Sequence, residues 1–576
     1  MSRDLRRRLE QLVEGEIGTV RKPHAGKLRV ALAYPNTYYL GMSNVGFQAV
    51  YRFLNDEPDV VCERVFLPDR ADRAEYLRTG TSLMTLESGS LVRDFDVIAF
   101  SVTFEPDELN LIAMLDLARV PPLASERDGR HPLVIAGGPV TFLNPEPIAP
   151  FVDVVAVGEA EGLLPPLLDA LRSASGRGDL LERLEGEDGF YIPAHFEISY
   201  GADGPIARRR NTVAPDNRVV RARMAKGASR EGLRPPATYV LTAGTEMSMK
   251  FLVEVSRGCP TLCRFCWAGY NYLPRRSFEV ERILEAARAA RPHTSDIGLV
   301  STAVGAHPEI VPLTQALKDL GFRISVSSLR FEDLKSDLLN VLVDSGERGL
   351  AVAPEAGTDR LRLSIHKRVP NREILEKTDM IFARGFENLK LYLMLGLPGE
   401  RDEDVDGIVD LVEKIREQMV DHGRRRGRLG KLIPSVNPFI PKPGTPFQWC
   451  AMAPHAELER KARRLERALA RLPNVELHVK SPRQERLQAV LAMGDRRLAP
   501  AMLAMARGEA DLKRALTRSG LSLDYFVHRP RPLDEILPWD HIDNGVKREL
   551  LVSQYEKAEL PVSYSRMTSA AAYSPL

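Results

Sequence analysis

Three of the chain's five cysteines fall within eight residues, in the stretch Val255-Ser-Arg-Gly-Cys-Pro-Thr-Leu-Cys-Arg-Phe-Cys-Trp-Ala-Gly269. Cys259, Cys263 and Cys266 stand at Cys-x3-Cys-x2-Cys spacing. Three thiolates on so short a loop can hold three irons of a cubane, because iron–sulfur clusters are ligated by cysteine. No fourth ligand stands nearby, which leaves one iron open to bind and reduce a small molecule. A zinc knuckle is the competing reading. Structural zinc closes its shell with four ligands, however, and neither Cys450 nor His293 stands at knuckle spacing. A disulfide with one spare thiol is the blander alternative.

At 576 residues the chain exceeds one ordinary core, and ~150 residues per domain suggests three or four units. Apolar content of 44% and charged content of 27% are those of a soluble globular protein. A net charge of +2 gives no whole-chain sign of a nucleic-acid partner. The cysteines are too few and too clustered for a disulfide framework, so a reducing cytosol is expected. The charged opening segment has no signal-peptide character, and no run of ~18 apolar residues would span a membrane. A cytoplasmic protein is expected.

The cysteine spacing, with its apolar and aromatic filling, resembles the signature of the radical S-adenosylmethionine (SAM) superfamily. The resemblance implies a [4Fe-4S] cluster on Cys259, Cys263 and Cys266, with SAM chelated at the open iron and cleaved to a 5′-deoxyadenosyl radical. Six strands, each followed by a helix, are expected at 251–255, 296–301, 323–327, 349–353, 388–394 and 433–437. They resemble the family's (β/α)6 partial barrel, a relative of the eightfold barrel whose sites sit at strand carboxyl ends. Residues just past the strands are then the SAM candidates. They are Ser301 and Thr302, where the family's glutamate is missing, then Ser327 and Arg330, Glu355, and Gly396 and Pro398. An arginine suits a bidentate carboxylate contact. Trp267 and Tyr270 either shield the cluster or pack.

Residues 1–200 alternate strands with helices, as in a doubly wound, Rossmann-like α/β sheet whose ligand crevice lies beyond the strand carboxyl ends. The loops there hold Tyr39, Gly41, Ser43 and Asn44, then Ser101 and Thr103, then Gly137, Gly138 and Pro139, then Gly158 and Glu159. Glycine admits close backbone approach to a ligand. This set resembles the cobalamin-binding domain that precedes many radical SAM cores, and these residues are the cobalamin candidates. The family's Asp-x-His-x-x-Gly motif, with its cobalt-ligating histidine, is missing, and His24, His131 and His195 stand elsewhere. Cobalamin held without a protein histidine and an empty scaffold domain both stay open.

Residues 189–193 and 195–200 alternate like a small hairpin. Residues 201–245 form a basic connection with Arg208, Arg209, Arg210, Arg218, Arg221, Arg223, Lys226, Arg230 and Arg234. A polyanion site such as RNA is one reading; a solvated linker is favoured because stacking aromatics are missing. The barrel occupies 246–475. Residues 476–576 read as a small, mostly α accessory region, and its end, Ser563 to Leu576, has no cysteine for a second cluster. The expected function is a radical SAM enzyme. With cobalamin it would methylate an unactivated carbon; without it, it would rearrange, cyclise or modify RNA or protein. A non-catalytic iron–sulfur scaffold is the alternative from another class. Expected partners are a small-molecule, peptide or RNA substrate and an electron donor such as flavodoxin or ferredoxin.

Overall fold

The structure, a computed structural model, describes residues 2–215, 219–224, 233–558 and 560. Arg218, Lys226, Arg230 and the tail from Ser563 lie outside the described residues. The first unit is a six-stranded sheet of β1 (Leu28–Tyr34), β2 (Val60–Phe66), β3 (Val97–Ser101), β4 (Leu133–Gly137), β5 (Val154–Ala156) and β6 (Phe190–Tyr191). Its order is β2-β1-β3-β4-β5-β6. The first five strands run parallel and β6 joins antiparallel. Strand side chains alternate between faces, and β1 uses both. Val30, Leu32 and Tyr34 pack with Phe47, Tyr51 and Leu54 of helix Val45–Asp56. Ala31 and Ala33 join the core of Leu111, Ile112 and Leu115 from helix Asp107–Ala118. Burial on two faces explains the unbroken apolar run. The winding reverses between β1 and β3, and a crevice opens at such a switch point.

One expectation needs correction. Phe190 and Tyr191 do not pair with the next strand; they edge the first sheet. The hairpin is instead β7 (Phe196–Tyr200) with β8 (Ile206–Asn211). Period-two alternation identified the strand and could not say which neighbour it joins. The arginines of the connection are also engaged. Arg209 donates to the carbonyls of Leu537 and Pro538 at 2.9 and 3.0 Å. Arg210 pairs with Glu197 at 2.6 Å and Arg223 with Glu187 at 2.8 Å.

The second unit runs β9 (Phe251–Glu254), β10 (Asp296–Val300), β11 (Arg323–Val326), β12 (Gly349–Glu355), β13 (Asn388–Leu395), β14 (Leu432–Pro438) and the short β15 (His478–Val479). All are parallel and joined in sequence order, with a Leu329–Val352 bridge linking β11 to β12. This is the expected open barrel with a short seventh strand. In β13, Leu389, Leu391, Leu393 and Leu395 are buried, while Lys390, Tyr392 and Met394 are half-buried on the other face.

Ion pairs turn the carboxyl end of the first sheet toward that of the barrel. Glu159, past β5, accepts from Arg276 at 2.7 and 3.0 Å. Glu161 pairs with Arg257 at 2.8 Å, next to the cysteine loop. Glu105, past β3, pairs with Lys442, past β14, and accepts from Gln488 at 2.9 Å. The C-terminal region packs on the first unit through Asn144, which donates to the Gly494 carbonyl at 2.7 Å, and through the Arg496–Glu146 pair at 2.8 Å. Among the described residues, no helix is long and apolar enough to cross a membrane.

Candidate active site

The cysteine loop begins where β9 ends. Ser256 and Arg257 ladder with Ser277 and Arg276, and Gly258 then turns at φ 85°. A Cβ on Gly258 would lie 2.4 Å from the Tyr272 carbonyl oxygen, so only glycine fits. Cys259 and Cys263 are buried and Cys266 is half-buried; none is in a disulfide. Burial pushes the thiols of Cys263 and Cys266 up, and the charge of Cys259 raises both further. Thiols so close and so desolvated resist ionising alone, and a metal centre relieves this because binding displaces the protons. Among the described residues, no three His, Cys, Asp or Glu side chains close on a single-ion site. A cubane instead spreads its three thiolates over three irons. The loop fits a cluster.

The loop is stitched to the turn past helix Asp359–Ser364. Arg264 N–H donates to the Ile365 carbonyl at 3.0 Å. His366 Nδ1 lies 2.8 Å from the Leu262 carbonyl, and Tyr270 Oη donates to the same carbonyl at 3.1 Å. Tyr270 is thus a packing residue.

Arg330 grips Asp333 with both arms of its fork at 2.6 Å and reaches Thr261 inside the cysteine loop. Through these contacts Arg330 braces the cysteine loop. Ser301 and Ser327 meet at the barrel rim, where Ser327 Oγ donates to the Ser301 carbonyl at 3.0 Å and Ser301 Oγ contacts Ser256 Oγ at 2.8 Å. Thr302 is exposed beside them. Glu355 ends β12 at φ 69°, a left-handed backbone uncommon outside glycine. Burial pushes its carboxyl up, partly offset by Lys367. Gly396 accompanies Pro398 in a turn supported from below, where Gly396 N–H donates to Glu400 at 2.8 Å and Glu400 pairs with buried Lys461 at 2.8 Å.

At the switch-point crevice, Tyr34 Oη and Thr103 Oγ1 lie 2.9 Å apart, and Asn36 donates to Asp107 at 2.8 Å. Burial pushes the Asp107 carboxyl up to about 6. Tyr39 (52% exposed), Leu40 (39%) and Phe104 (39%) leave apolar surface open in the loops past β1 and β3. Other candidates hold the fold. Asn44 caps helix Val45–Asp56 by accepting from Phe47 N–H at 2.8 Å. Ser43 Oγ donates to the Tyr39 carbonyl at 3.2 Å. Gly41 packs against Phe66, where a Cβ would come within 2.5 Å. Ser101 and Gly137 pair at the sheet end, and Gly138 and Pro139 open the helix Pro139–Leu143. Gly158 lies under the Arg223 carbonyl, 2.2 Å from where its Cβ would be, and Glu159 faces Arg276. Gly158 thus packs on the connecting segment, and Glu159 ties the first sheet to the barrel.

A cavity of about 610 Å³ opens at the three-way junction of the first sheet, the barrel and the C-terminal region. Phe142, Asn271, Gln448, Trp539 and Asn544 line it. Trp539 Nε1 donates to Gln448 at 2.7 Å, and Asn544 bridges Asn271 and the Phe142 carbonyl.

Two family profiles match this architecture. One, described as radical SAM proteins, N-terminal, covers residues 46–193; the other, the radical SAM superfamily, covers residues 253–412 and hence the cysteine loop. The chain belongs to the radical SAM superfamily. As a radical SAM enzyme it takes a [4Fe-4S] cluster and SAM as cofactors. An uncharacterised protein of Methanocaldococcus jannaschii is 29% identical over 87% of this chain and 96% of its own. A tRNA-2-methylthio-N(6)-dimethylallyladenosine synthase of Natranaerobius thermophilus is 22% identical over 33% of this chain and 49% of its own. The structure of the radical SAM methyltransferase TsrM from Kitasatospora setae, solved with cobalamin and a [4Fe-4S] cluster, aligns with a TM-score of 0.46 at 13% identity, over 74% of this chain and 80% of that one.

Sequence reasoning missed Lys367, buried beside Glu355 on the turn that is hydrogen-bonded to the cysteine loop, and Glu105, which joins the crevice to the barrel. A buried lysine on a turn has no sequence signature. Glu105 could have been suspected from its place directly after a strand end.

Proposed function

We propose that this radical SAM enzyme holds cobalamin at the switch-point crevice of its first domain and transfers a methyl group to an unactivated carbon. The observation that carries the reading is the orientation of the two units. Glu105 with Lys442, and Glu159 with Arg276, turn the crevice toward the barrel end that bears the cysteine loop. Tyr39, Leu40 and Phe104 offer open apolar surface for a broad ring, and Thr103 and Asp107 offer polar groups at its edge.

The histidines of this domain are engaged elsewhere. His24 pairs with Glu63 at 2.7 Å, His131 with Asp128 at 3.0 Å and His195 with Glu185 at 2.9 Å. Cobalamin would therefore sit without a histidine from the protein and would serve as the methyl carrier. The cofactors supply the hard chemistry, namely one-electron cleavage of the SAM sulfonium and hydrogen abstraction by the resulting carbon radical; the protein supplies orientation and exclusion of water. Cys259, Cys263 and Cys266 would hold the cluster, Arg330 and His366 hold their loop, and Ser301, Ser327 and Glu355 would contact SAM at the barrel rim. A substrate would enter the junction cavity, whose volume is that of ordinary ligand sites. The electron comes from a donor such as flavodoxin or ferredoxin.

The test is corrinoid retention. Reconstituted protein incubated with hydroxocobalamin and passed through gel filtration should keep a corrinoid absorption band, and Phe104→Glu should lose it while still cleaving SAM. Wild-type protein that cleaves SAM yet retains no corrinoid would overturn methyl transfer in favour of radical rearrangement or cyclisation.

A further inference from the structure

The junction cavity has one wall on the helix that leaves the cysteine loop. Cys266 precedes the helix Trp267–Asn271, and Asn271 at its end lines the cavity. Five helical residues rise only ~7.5 Å. Asn271 is held there by donating to the Trp267 carbonyl at 3.0 Å and accepting from Asn544. A second wall is the turn Pro446–Trp449, past β14. Its Gln448 is 3% exposed and lines the cavity. Gln448 Oε1 accepts from Trp539 Nε1 at 2.7 Å and from the Gly444 N–H at 3.0 Å. Two N–H donors at one end of an amide mark that end as the oxygen, so the other end is a donor. Gln448 Nε2 has no acceptor among the described residues. A donor left unmade in so buried a place is costly, and an acceptor on a ligand would satisfy it.

The charges of the lining disfavour an anion. Glu535 is held by both arms of Arg529 at 2.6 Å. Arg548, the cation of the lining among the described residues, donates to the Leu533 carbonyl and stands 3.6 Å from Asp540. Asp543 meets Arg221 only at 3.9 Å, and Asp534 has no cationic partner among the described residues. The surplus is negative, and like charges brought together are penalised. Phe142, Leu143, Trp539, Ile542 and Leu551 add buried apolar surface.

We propose that the junction cavity selects an uncharged substrate with an apolar body and a carbonyl-type oxygen, which Gln448 Nε2 reads, and turns away carboxylates and phosphates. The inference rests on the reading of this cavity as the place where the substrate enters. A site built to hydrogen-bond a substrate group rejects analogues without it, because its own buried donor is then left unpaired. Gln448 suits this part because Trp539 and Gly444 lock its amide from two sides.

The experiment is a saturation-transfer-difference titration, at pH 8, of the full chain reconstituted with iron and sulfide. Four probes share one phenyl ring and differ in the head group, namely benzamide, benzylammonium, benzoate and phenyl phosphate. Wild type should bind benzamide most tightly and leave benzoate and phenyl phosphate unbound. Gln448→Glu keeps the oxygen that Trp539 and Gly444 need and replaces the free donor with a carboxylate oxygen. It should weaken benzamide about tenfold, the size of one hydrogen bond, and strengthen benzylammonium, a gain that a misfolded variant would not show. Ile536→Trp narrows the cavity from a lining residue that is 38% exposed, and it should weaken benzamide as well. Benzoate or phenyl phosphate bound as tightly as benzamide would overturn the proposal, as would benzylammonium bound more tightly in wild type. So would benzamide binding that neither variant changes, or no binding at all. Corrinoid retention is scored on the same preparation. Its loss with the benzamide result intact would sink methyl transfer and leave the cavity assignment standing.

Discussion

Glu159 and Arg276, separated by 117 positions in the chain, meet at 2.7 and 3.0 Å with both side chains buried. Arg257 adds a second guanidinium at 3.4 Å. This cluster lies between the first sheet and the strand that delivers the cysteines, so it fixes where the crevice faces. Removing one partner of a buried pair leaves uncompensated charge and costs ~3–5 kcal/mol. Glu159→Ala should therefore lower the thermal unfolding temperature clearly and expose the connection between the units to limited proteolysis. A loss below ~1 kcal/mol would place this contact among surface-type ion pairs.

Glu146 gives a pH dependence with a definite sign. It is buried, and although burial opposes its charge, Arg496 at 2.8 Å, with help from His541 and Tyr191, lowers its pKa from 4.5 to about 2. A carboxylate depressed in the folded state stabilises above its unfolded pKa and loses that contribution as pH falls. The shift corresponds to about 3 kcal/mol. Denaturant unfolding followed from pH 5 to pH 2 should show this decline, and Glu146→Gln should flatten it while lowering stability at pH 7. A variant that keeps the wild-type slope would remove Glu146 as its source.

Gly258 bears on cluster loading. Any side chain there meets the Tyr272 carbonyl oxygen at 2.4 Å, on a backbone at φ 85°. Forcing alanine into such a conformation costs more than ~1 kcal/mol, and the loop must shift to relieve it. Gly258→Ala should fold, by circular dichroism, yet bind substantially less iron than wild type on reconstitution. Full iron content would show the loop to be more tolerant than its geometry implies.

Much of this was legible before the structure. The three cysteines were readable because cluster ligation imposes local spacing, and the barrel strands because each is a short apolar run at a β/α interval. Partners were not. Lys367 comes near the cysteine loop only because His366 and Arg264 stitch two distant turns together. Arg330 has the shape for a carboxylate, and the sequence did not show that Asp333, three residues on, pairs with it. Gly158 and Glu159 read as a ligand loop, and the sequence could not show that they also pack on Arg223 and pair with Arg276. Arg209 illustrates the same limit, since its basic stretch suggested RNA or solvent and its guanidinium instead ties the hairpin to the C-terminal region.

The most direct test of the central claim is iron and SAM chemistry on one anaerobic preparation. Wild-type protein reconstituted with iron and sulfide should hold about four irons per chain, as a [4Fe-4S] cluster requires, and form 5′-deoxyadenosine from SAM with dithionite. Alanine at Cys259, Cys263 or Cys266 should abolish both. Stoichiometric zinc in place of iron, or a full cluster that cleaves no SAM under any reductant, would contradict the account.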